Sequence, residues 1–441
     1  MTAPSPPDPA SEPVAPPAPN AAQTGSAPVP SAVAISLPLL IGAVVILALN
    51  LRTPLVAVGP VVGMIREDLG VSGSFVGLVT ALPMLAFALF SPLAARLARL
   101  WGIENVLIGS SILLAIGIAV RSACPSAALL VAGTVILSAA IAMGNVLLPA
   151  LAKRSLPHRV GLVIGAMTFT MSLSAAVAAA VAVPLAHWLN WRWSLGVWIT
   201  TALLALPVWL YLKRQTPPAP PESPAYGQNP TQTPHAAGGL NVWASPAAWC
   251  ISAMMGVQSL MFYAMANFLP SVLAEKGMSA LEAGAYGSLF QAVSLLGVLG
   301  ASALFAHSRH KQALGLGMAL MLVAGIGGIW LGGLGTMWLW VTCVGISGSA
   351  LFSVSLMLFA LRTDSPQEAA ALSGMAQSVG YTIAIFGPLG MGMLYDGFGS
   401  WRIPMGVLTA MMVGECALAW AATRAETLSQ CAQAAEKRRR F

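Results

Sequence analysis

Long apolar runs follow one another along this chain, separated by short stretches in which the charged residues and many of the prolines collect. Twelve such runs are legible. They cover residues 35–62, 75–94, 104–120, 127–151, 160–184 and 193–212, then 247–270, 283–305, 313–333, 337–361, 369–394 and 403–422. Each is close to the ~17–25 residues that carry a helix across the hydrocarbon core of a bilayer. The pattern predicts an all-α membrane protein with twelve transmembrane helices.

A second regularity lies over the first. Gly70-Val71-Ser72 with Gly77 returns as Gly277-Met278-Ser279 with Gly284, Pro157 and Gly165 return as Pro366 and Gly374, and Trp191-Arg192 returns as Trp401-Arg402. These matches keep one order and a nearly constant shift of about 207–210 residues. They predict two pseudo-symmetric six-helix bundles, 34–212 and 246–423, joined by a Pro-rich cytoplasmic linker at 213–245. Residues 1–33 are rich in Pro, Ala and Ser and contain no Lys or Arg, so they read as a disordered tail rather than a secretory signal. Residues 424–441 form a basic C-terminal tail.

Composition agrees. The chain is 57% hydrophobic and 8% charged, with a mean hydropathy of +0.79. A soluble domain carries about 25% charged residues. The net charge of +7 matters here through its placement. With the N-terminus inside, fifteen of the 21 Lys and Arg residues fall in inner loops or the C-terminal tail, five (Arg66, Arg121, Arg192, Lys276 and Arg402) fall in outer loops, and Arg52 lies within a span. That bias predicts both termini on the cytoplasmic side of a bacterial-type inner membrane. The five cysteines are scattered without a C-x-x-C pair and read as buried inert thiols. There is no H-E-x-x-H, P-loop or dinucleotide fingerprint. His307 and His310 sit with Arg309 and Lys311 in a basic inner loop. The chain therefore reads as neither an enzyme nor a nucleic-acid binder, with no cofactor or metal.

The chemistry begins where polar residues interrupt the spans. Ala48-Leu49-Asn50-Leu51-Arg52-Thr53-Pro54 places a guanidinium inside the first span, beside a proline that removes a backbone donor. A charge at mid-span costs at least ~2.5–3.5 kcal/mol, so it is expected to face a bundle interior or a wet cavity. Arg52 is either a bidentate ligand for a small oxyanion or a cation satisfied by helix carbonyls and water. Asn50 either holds the loosened turn or touches substrate. Asn145, after Gly144, either contacts substrate or permits close helix packing. Tyr263 and Asn267 share a face of the seventh span, with Gln258 about 140° away from Tyr263. Gln377 and Tyr381, at the same i, i+4 spacing, offer donors to an oxyanion or nitro group, or simply bond between helices. Gln291 and the pair Ser349 and Ser353 are weaker candidates. Of the fourteen acids only Glu415 is well inside a span, the peripheral twelfth, where it is expected to meet a neighbouring helix or reach the interface. No acid is evident near Arg52, so the expected counter-charge is the cargo.

Three stretches carry a resemblance to a known family. They are Asn50-Leu51-Arg52; Gly144-Asn145-Val146-Leu147-Leu148-Pro149 followed by Lys153-Arg154; and the run from Glu368 through Met375-Ala376-Gln377 to Gly387-Pro388. Together they resemble the major facilitator superfamily and, within it, the cyanate and 2-nitroimidazole transporter branch. Leu93-Ala94-Ala95-Arg96-Leu97-Ala98-Arg99 departs from the superfamily's usual Gly-x-x-x-Asp-Arg pattern by lacking the Asp. The resemblance implies two six-helix halves around a central cavity, lined by spans 1, 4, 7 and 10, with alternating access by rocking. The expected function is secondary or facilitated transport of a small, cyanate-like or organic anion by a monomer in the lipid bilayer. The expected site comprises Arg52, Asn50, Asn145, Gln258, Tyr263, Asn267, Gln291, Gln377 and Tyr381. An exporter of nitroimidazole-like or other drug-like compounds is the alternative within transport, and a membrane sensor that binds without flux is the alternative outside it.

Overall fold

The structure, a computed structural model, describes residues 37–123, 125–215, 241–424, 426–431 and 433. The expected N-terminal tail, the core of the Pro-rich linker, Cys124 and the last residues of the basic tail lie outside the described residues. The first span is α1 (Leu37–Val56), followed by a 3-10 turn at Gly59–Val61 and by α2 (Val62–Leu69). Then come α3 (Gly73–Trp101), α4 (Ile103–Ser122), α5 (Ala127–Ser155) and α6 (Val160–Trp188), with the short α7 (Trp191–Gly196) and α8 (Ile199–Gln215) together making the sixth span. The second set is α9 (Pro246–Glu275), α10 (Ala280–His307), α11 (Lys311–Leu331), α12 (Met337–Leu361), α13 (Pro366–Phe398) and α14 (Arg402–Ala422). Among the described residues, twelve helical stretches are long and apolar enough to cross a membrane. Several outrun the apolar runs that announced them: α3 carries Arg96 and Arg99 on its last turns. Helices continue past hydrocarbon wherever the next turn can be solvated.

The first six spans and the last six share one pairing scheme. α1 packs on α6 as α9 packs on α13; α3 on α5 as α10 on α12; α4 on α5 and α8 as α11 on α12 and α14. The repeated sequence motifs have matching physical jobs. Gly70 (φ 61°) and Gly277 (φ 98°) turn the chain through the left-handed region that favours glycine. Ser72 and Ser279, two residues on, then cap α3 and α10 by accepting from the backbone N–H of Phe75 and Glu282. At Ser279 the Glu282 carboxylate bonds back to the Ser279 N–H, completing a capping box. Asp68, just beyond the first span, accepts from the Trp191 indole and pairs with Arg192 at 2.7 Å. Glu275, at the end of the seventh, accepts from the Trp401 N–H at 3.0 Å and the Ser400 hydroxyl at 2.8 Å. In each set, an acid at the end of the leading span or just beyond it anchors the Trp-Arg step that starts the last one.

The sets meet most extensively through α3 on α13 and α6 on α10, and further through α5 on α12 and α13 and α6 on α12. The repeated glycines Gly165 and Gly374 lie at these contacts. A Cβ built on Gly165 would stand 2.7 Å from Cβ of Ser302, and one on Gly374 would stand 2.9 Å from the Ser91 carbonyl oxygen. Near the same end, the Lys153 ammonium reaches from α5 to the carbonyls of Ala360 (2.8 Å) and Thr363, which terminate α12. Arg362, fully buried beside them, donates to the carbonyls of Ala422 and Arg424 at 2.9 Å each, and its own carbonyl accepts from Leu428 at 2.9 Å. This end of the bundle is therefore closed by close backbone approach and by cations on helix C-termini.

The Gly374 contact is against backbone, so a branched side chain there must push the sets apart. Gly374→Val is expected to open this end. A cysteine at Thr168, in an otherwise cysteine-free chain, should react roughly tenfold faster with an impermeant maleimide applied from the Lys153 side. An unchanged labelling rate would show that Gly374 does not hold this end shut.

Candidate functional site: a cavity around Arg52

The site grows from the end of α1. Pro54 offers no N–H, and the helix stops at Val56. Thr53 and Asn50 bond back to the carbonyls of Leu49 and Ile46. The Pro54 carbonyl, close to the helix end, accepts from Nη1 of Arg121 at 2.6 Å. Arg121 was expected in an outer loop; instead it ends α4 fully buried. A helix-end carbonyl within reach outweighs the pull toward water.

Arg52 is half-buried and makes no hydrogen bond or ion pair to any described residue. Its guanidinium carbon lies over the rings of Phe262 on α9 and Phe352 on α12, 5.6 Å from each centroid. Two π faces thus meet the charge, each worth ~0.5–2 kcal/mol. Arg52 also lines two adjoining cavities. The larger, about 720 Å³, is bounded by Arg52, residues 168–180 of α6, Gln258, Phe262 and Tyr263 of α9, residues 284–298 of α10, Ser349 and Phe352 of α12, and Tyr381 of α13. The smaller, about 220 Å³, shares Arg52, Phe262, Tyr263, Gln291 and Tyr381 and continues to Val79, Pro83, Met84 and Phe87 of α3, to Arg121, and to Thr134 and Asn145 of α5.

Exposure shows which way the larger cavity opens. Gln258, Ser259 and Tyr381 are buried in its depth, whereas Ala180, Gly284, Ser288 and Gln291 are exposed toward the end where α9 gives way to α10. Its floor is a chain of hydroxyls between sets. Ser353 stands 3.4 Å from Thr168 and 3.2 Å from Ser302. Below lie the Gly165 and Gly374 contacts and Lys153.

The candidates divide cleanly. Arg52, Tyr263, Gln291 and Tyr381 line both cavities, Gln258 the larger and Asn145 the smaller. Gln258 donates to the Gly348 carbonyl at 2.8 Å and accepts from Ser259. The Gln291 amide makes no hydrogen bond to a described residue. Three candidates line neither cavity. Asn50 is fully buried between α1 and α8, accepting from Thr201 at 2.7 Å while donating to Ile46. Asn267 is exposed, its amide tied to the Tyr263 carbonyl at 2.6 Å. Gln377 is buried against Ser373 at 3.0 Å. Each of the three is held by its neighbours and withdrawn from the cavity. Thr168 lines the chamber floor, while Ser353 meets it from α12.

Sequence reasoning did not single out Phe262, Phe352 and Phe87, because an aromatic residue in an apolar run carries no mark that separates cavity wall from packing. Glu415 is fully buried in α14, and neither of its carboxylate oxygens has a hydrogen-bond partner among the described residues. It lies in neither cavity, and no acid among the described residues lines either one. The described cysteines, Cys250, Cys343, Cys416 and Cys431, are free and half-buried, rather than fully buried as expected.

A family model described as Major Facilitator Superfamily matches residues 39–388. The chain belongs to the major facilitator superfamily. Within it, the chain is 35% identical over 384 residues to the 2-nitroimidazole transporter of Escherichia coli strain K12, covering 86% of this chain and 95% of that protein. It is 26% identical over 377 residues to the cyanate transport protein CynX of the same strain, covering 84% and 93%. Among solved structures, that of the proton:xylose symporter XylE matches with a TM-score of 0.71 at 12% identity, covering 89% of this chain and 97% of that one, a likeness of fold alone. Superfamily membership makes this a multi-pass membrane transporter of small molecules and not an enzyme.

The division of candidates has a stability consequence. Asn50→Ala removes an interhelical hydrogen bond and should lower the stability of the purified protein by about 0.6–1.7 kcal/mol. Gln291→Ala should leave the thermal midpoint where it is, because that amide bonds to no described residue. Equal midpoints for the two variants would contradict the placement of Asn50.

Proposed function

We propose that the protein is a secondary transporter that moves a small anion by alternating access, with Arg52 as the anion's counter-charge. The carrying observation is a half-buried guanidinium that lines both cavities without a carboxylate beside it. A planar fork of N–H donors in a partly dry site suits an oxyanion, which it can hold bidentately. The site comprises Arg52, Tyr263, Gln258, Gln291 and Tyr381, with Asn145 at the back of the smaller cavity. The two six-span sets, 34–212 and 246–423, rock against one another as bundles. With both termini cytoplasmic, as the Lys and Arg bias favours, the closed end is the inner one and the present state faces outward.

Among the described residues no acid lines the cavities to carry a proton. Coupling then rests on exchange of one anion for another or on the membrane potential, worth ~2.3 kcal/mol per charge per 100 mV. An inside-negative potential drives an uncoupled anion outward, so uptake proceeds by exchange. A second reading is supported by the 35% identity to the 2-nitroimidazole transporter. A nitro group presents two oxygens in the geometry of a carboxylate, so export of a nitro-heterocycle would use the same fork.

The test is counterflow in liposomes holding the purified full-length chain, loaded with unlabelled small carboxylates, cyanate or 2-nitroimidazole. Arg52→Gln should abolish counterflow of the anions while the protein remains folded and monodisperse. Arg52→Lys, which keeps the charge but loses the fork, should weaken apparent affinity roughly 10–100-fold, the range of a lost charge-assisted bond. Normal counterflow by Arg52→Gln would remove Arg52 from the site. Binding without counterflow in the unaltered protein would identify a sensor rather than a carrier.

A further inference from the structure

We propose that the anion carried is an aromatic monocarboxylate, a flat ring bearing one carboxylate, rather than a triatomic anion such as cyanate. This inference rests on the reading of Arg52 as the anion's counter-charge and narrows it. Three observations carry it.

The first is size. A chamber of about 720 Å³ with a side cavity of about 220 Å³ is in the range that encloses ring-containing ligands. A triatomic anion would leave nearly all of it filled with water, and the guanidinium would be screened from its guest.

The second is the wall around the charge. Phe262 and Phe352 hold the guanidinium from two helices. Tyr263 stands edge-on to Phe262, with centroids 5.6 Å apart and planes at 85°. On the opposite wall Tyr381 packs on Phe87, with centroids 4.8 Å apart and planes at 55°. Tyr263 and Tyr381 both border the two cavities that Arg52 borders. A carboxylate on the guanidinium edge therefore places whatever is attached to it among aromatic rings contributed by α9 and α13. A flat ring gains offset-stacked or edge-to-face contacts there that a saturated body of equal size does not.

The third is charge and polarity. No acid among the described residues borders either cavity, so one carboxylate is not repelled. Arg121 borders only the smaller cavity, where it donates to the Pro54 carbonyl, whereas among the described residues Arg52 is the cation that borders the larger chamber, so a guest there meets one positive charge. The Gln291 amide, bonded to no described residue, faces both cavities and can accept or donate to a polar ring substituent.

The test compares benzoate with cyclohexanecarboxylate, which has the same charge and nearly the same size but a puckered, saturated ring. Binding to the purified full-length protein is measured by calorimetry, and counterflow is measured in liposomes. Benzoate should bind about tenfold more tightly than cyclohexanecarboxylate and outcompete cyanate. Phe262→Leu and Phe352→Leu should bring the two acids close to equal affinity, whereas Phe352→Trp, which keeps a π face, should preserve the preference. If the leucine variants fail to fold, loss of the benzoate preference in Tyr381→Leu reads the same aromatic wall from α13. Equal, Arg52-dependent binding of the two acids, or stronger binding of cyanate, overturns the aromatic class and leaves the Arg52 reading intact. Binding of 2-nitroimidazole that survives Arg52→Gln, with no binding of either acid, overturns both.

Discussion

A guanidinium cannot face hydrocarbon, and the architecture around α1 answers that constraint. Arg52 sits in the first span, two residues before Pro54 and about one turn before the helix ends at Val56. Its charge meets two phenyl faces and a cavity of about 720 Å³, with no carboxylate paired to it among the described residues. Cation–π contacts of ~0.5–2 kcal/mol each offset part of the insertion cost. An ion pair would have satisfied the charge permanently. The arrangement found leaves it satisfied in part, as the proposed reversible anion site requires. The rings come from α9 and α12 while the charge comes from α1, so the contact spans the two sets of six helices.

The same logic of paired sets organises the ends of the molecule. Helix for helix, the two sets share a pairing scheme, and the repeated motifs occupy equivalent positions: a left-handed glycine before a serine cap, an acid that anchors a Trp-Arg step, and a glycine at a point of close approach. Gly165 meets Ser302 across α6 and α10; Gly374 meets Ser91 across α13 and α3. Both lie at the end where Lys153 terminates α12, and the cavity widens toward the other end. Close packing and backbone-capping cations need no acid, which fits an end of α3 that lacks the superfamily's usual Asp.

Legibility differed between fold and site. Long apolar runs and the Lys and Arg bias are one-dimensional signals, set by bilayer thickness and insertion energetics, so twelve helices could be read directly. Arg52 could be read as well, since its cost in lipid is independent of context. The polar candidates were different. Asn50, Asn267 and Gln377 look as promising as Gln291 and Tyr381 along the chain, yet Thr201, Tyr263 and Ser373 take up their amides. Arg121, counted among outer-loop charges, is buried on the Pro54 carbonyl. Whether a polar side chain in a span binds a guest or a neighbour depends on partners more than a hundred residues away, as at Asn50 and Thr201, or one turn away, as at Asn267.

The sequence by itself determined that this chain crosses a membrane twelve times, that its halves echo one another, and that one cation must be kept from lipid. Those properties follow from the transfer energies and spacing of consecutive residues. Only the tertiary structure decided which polar groups face a cavity, which rings surround the cation, and which end of the bundle is shut. These are properties of helix rotation and helix-to-helix distance, which local spacing leaves free.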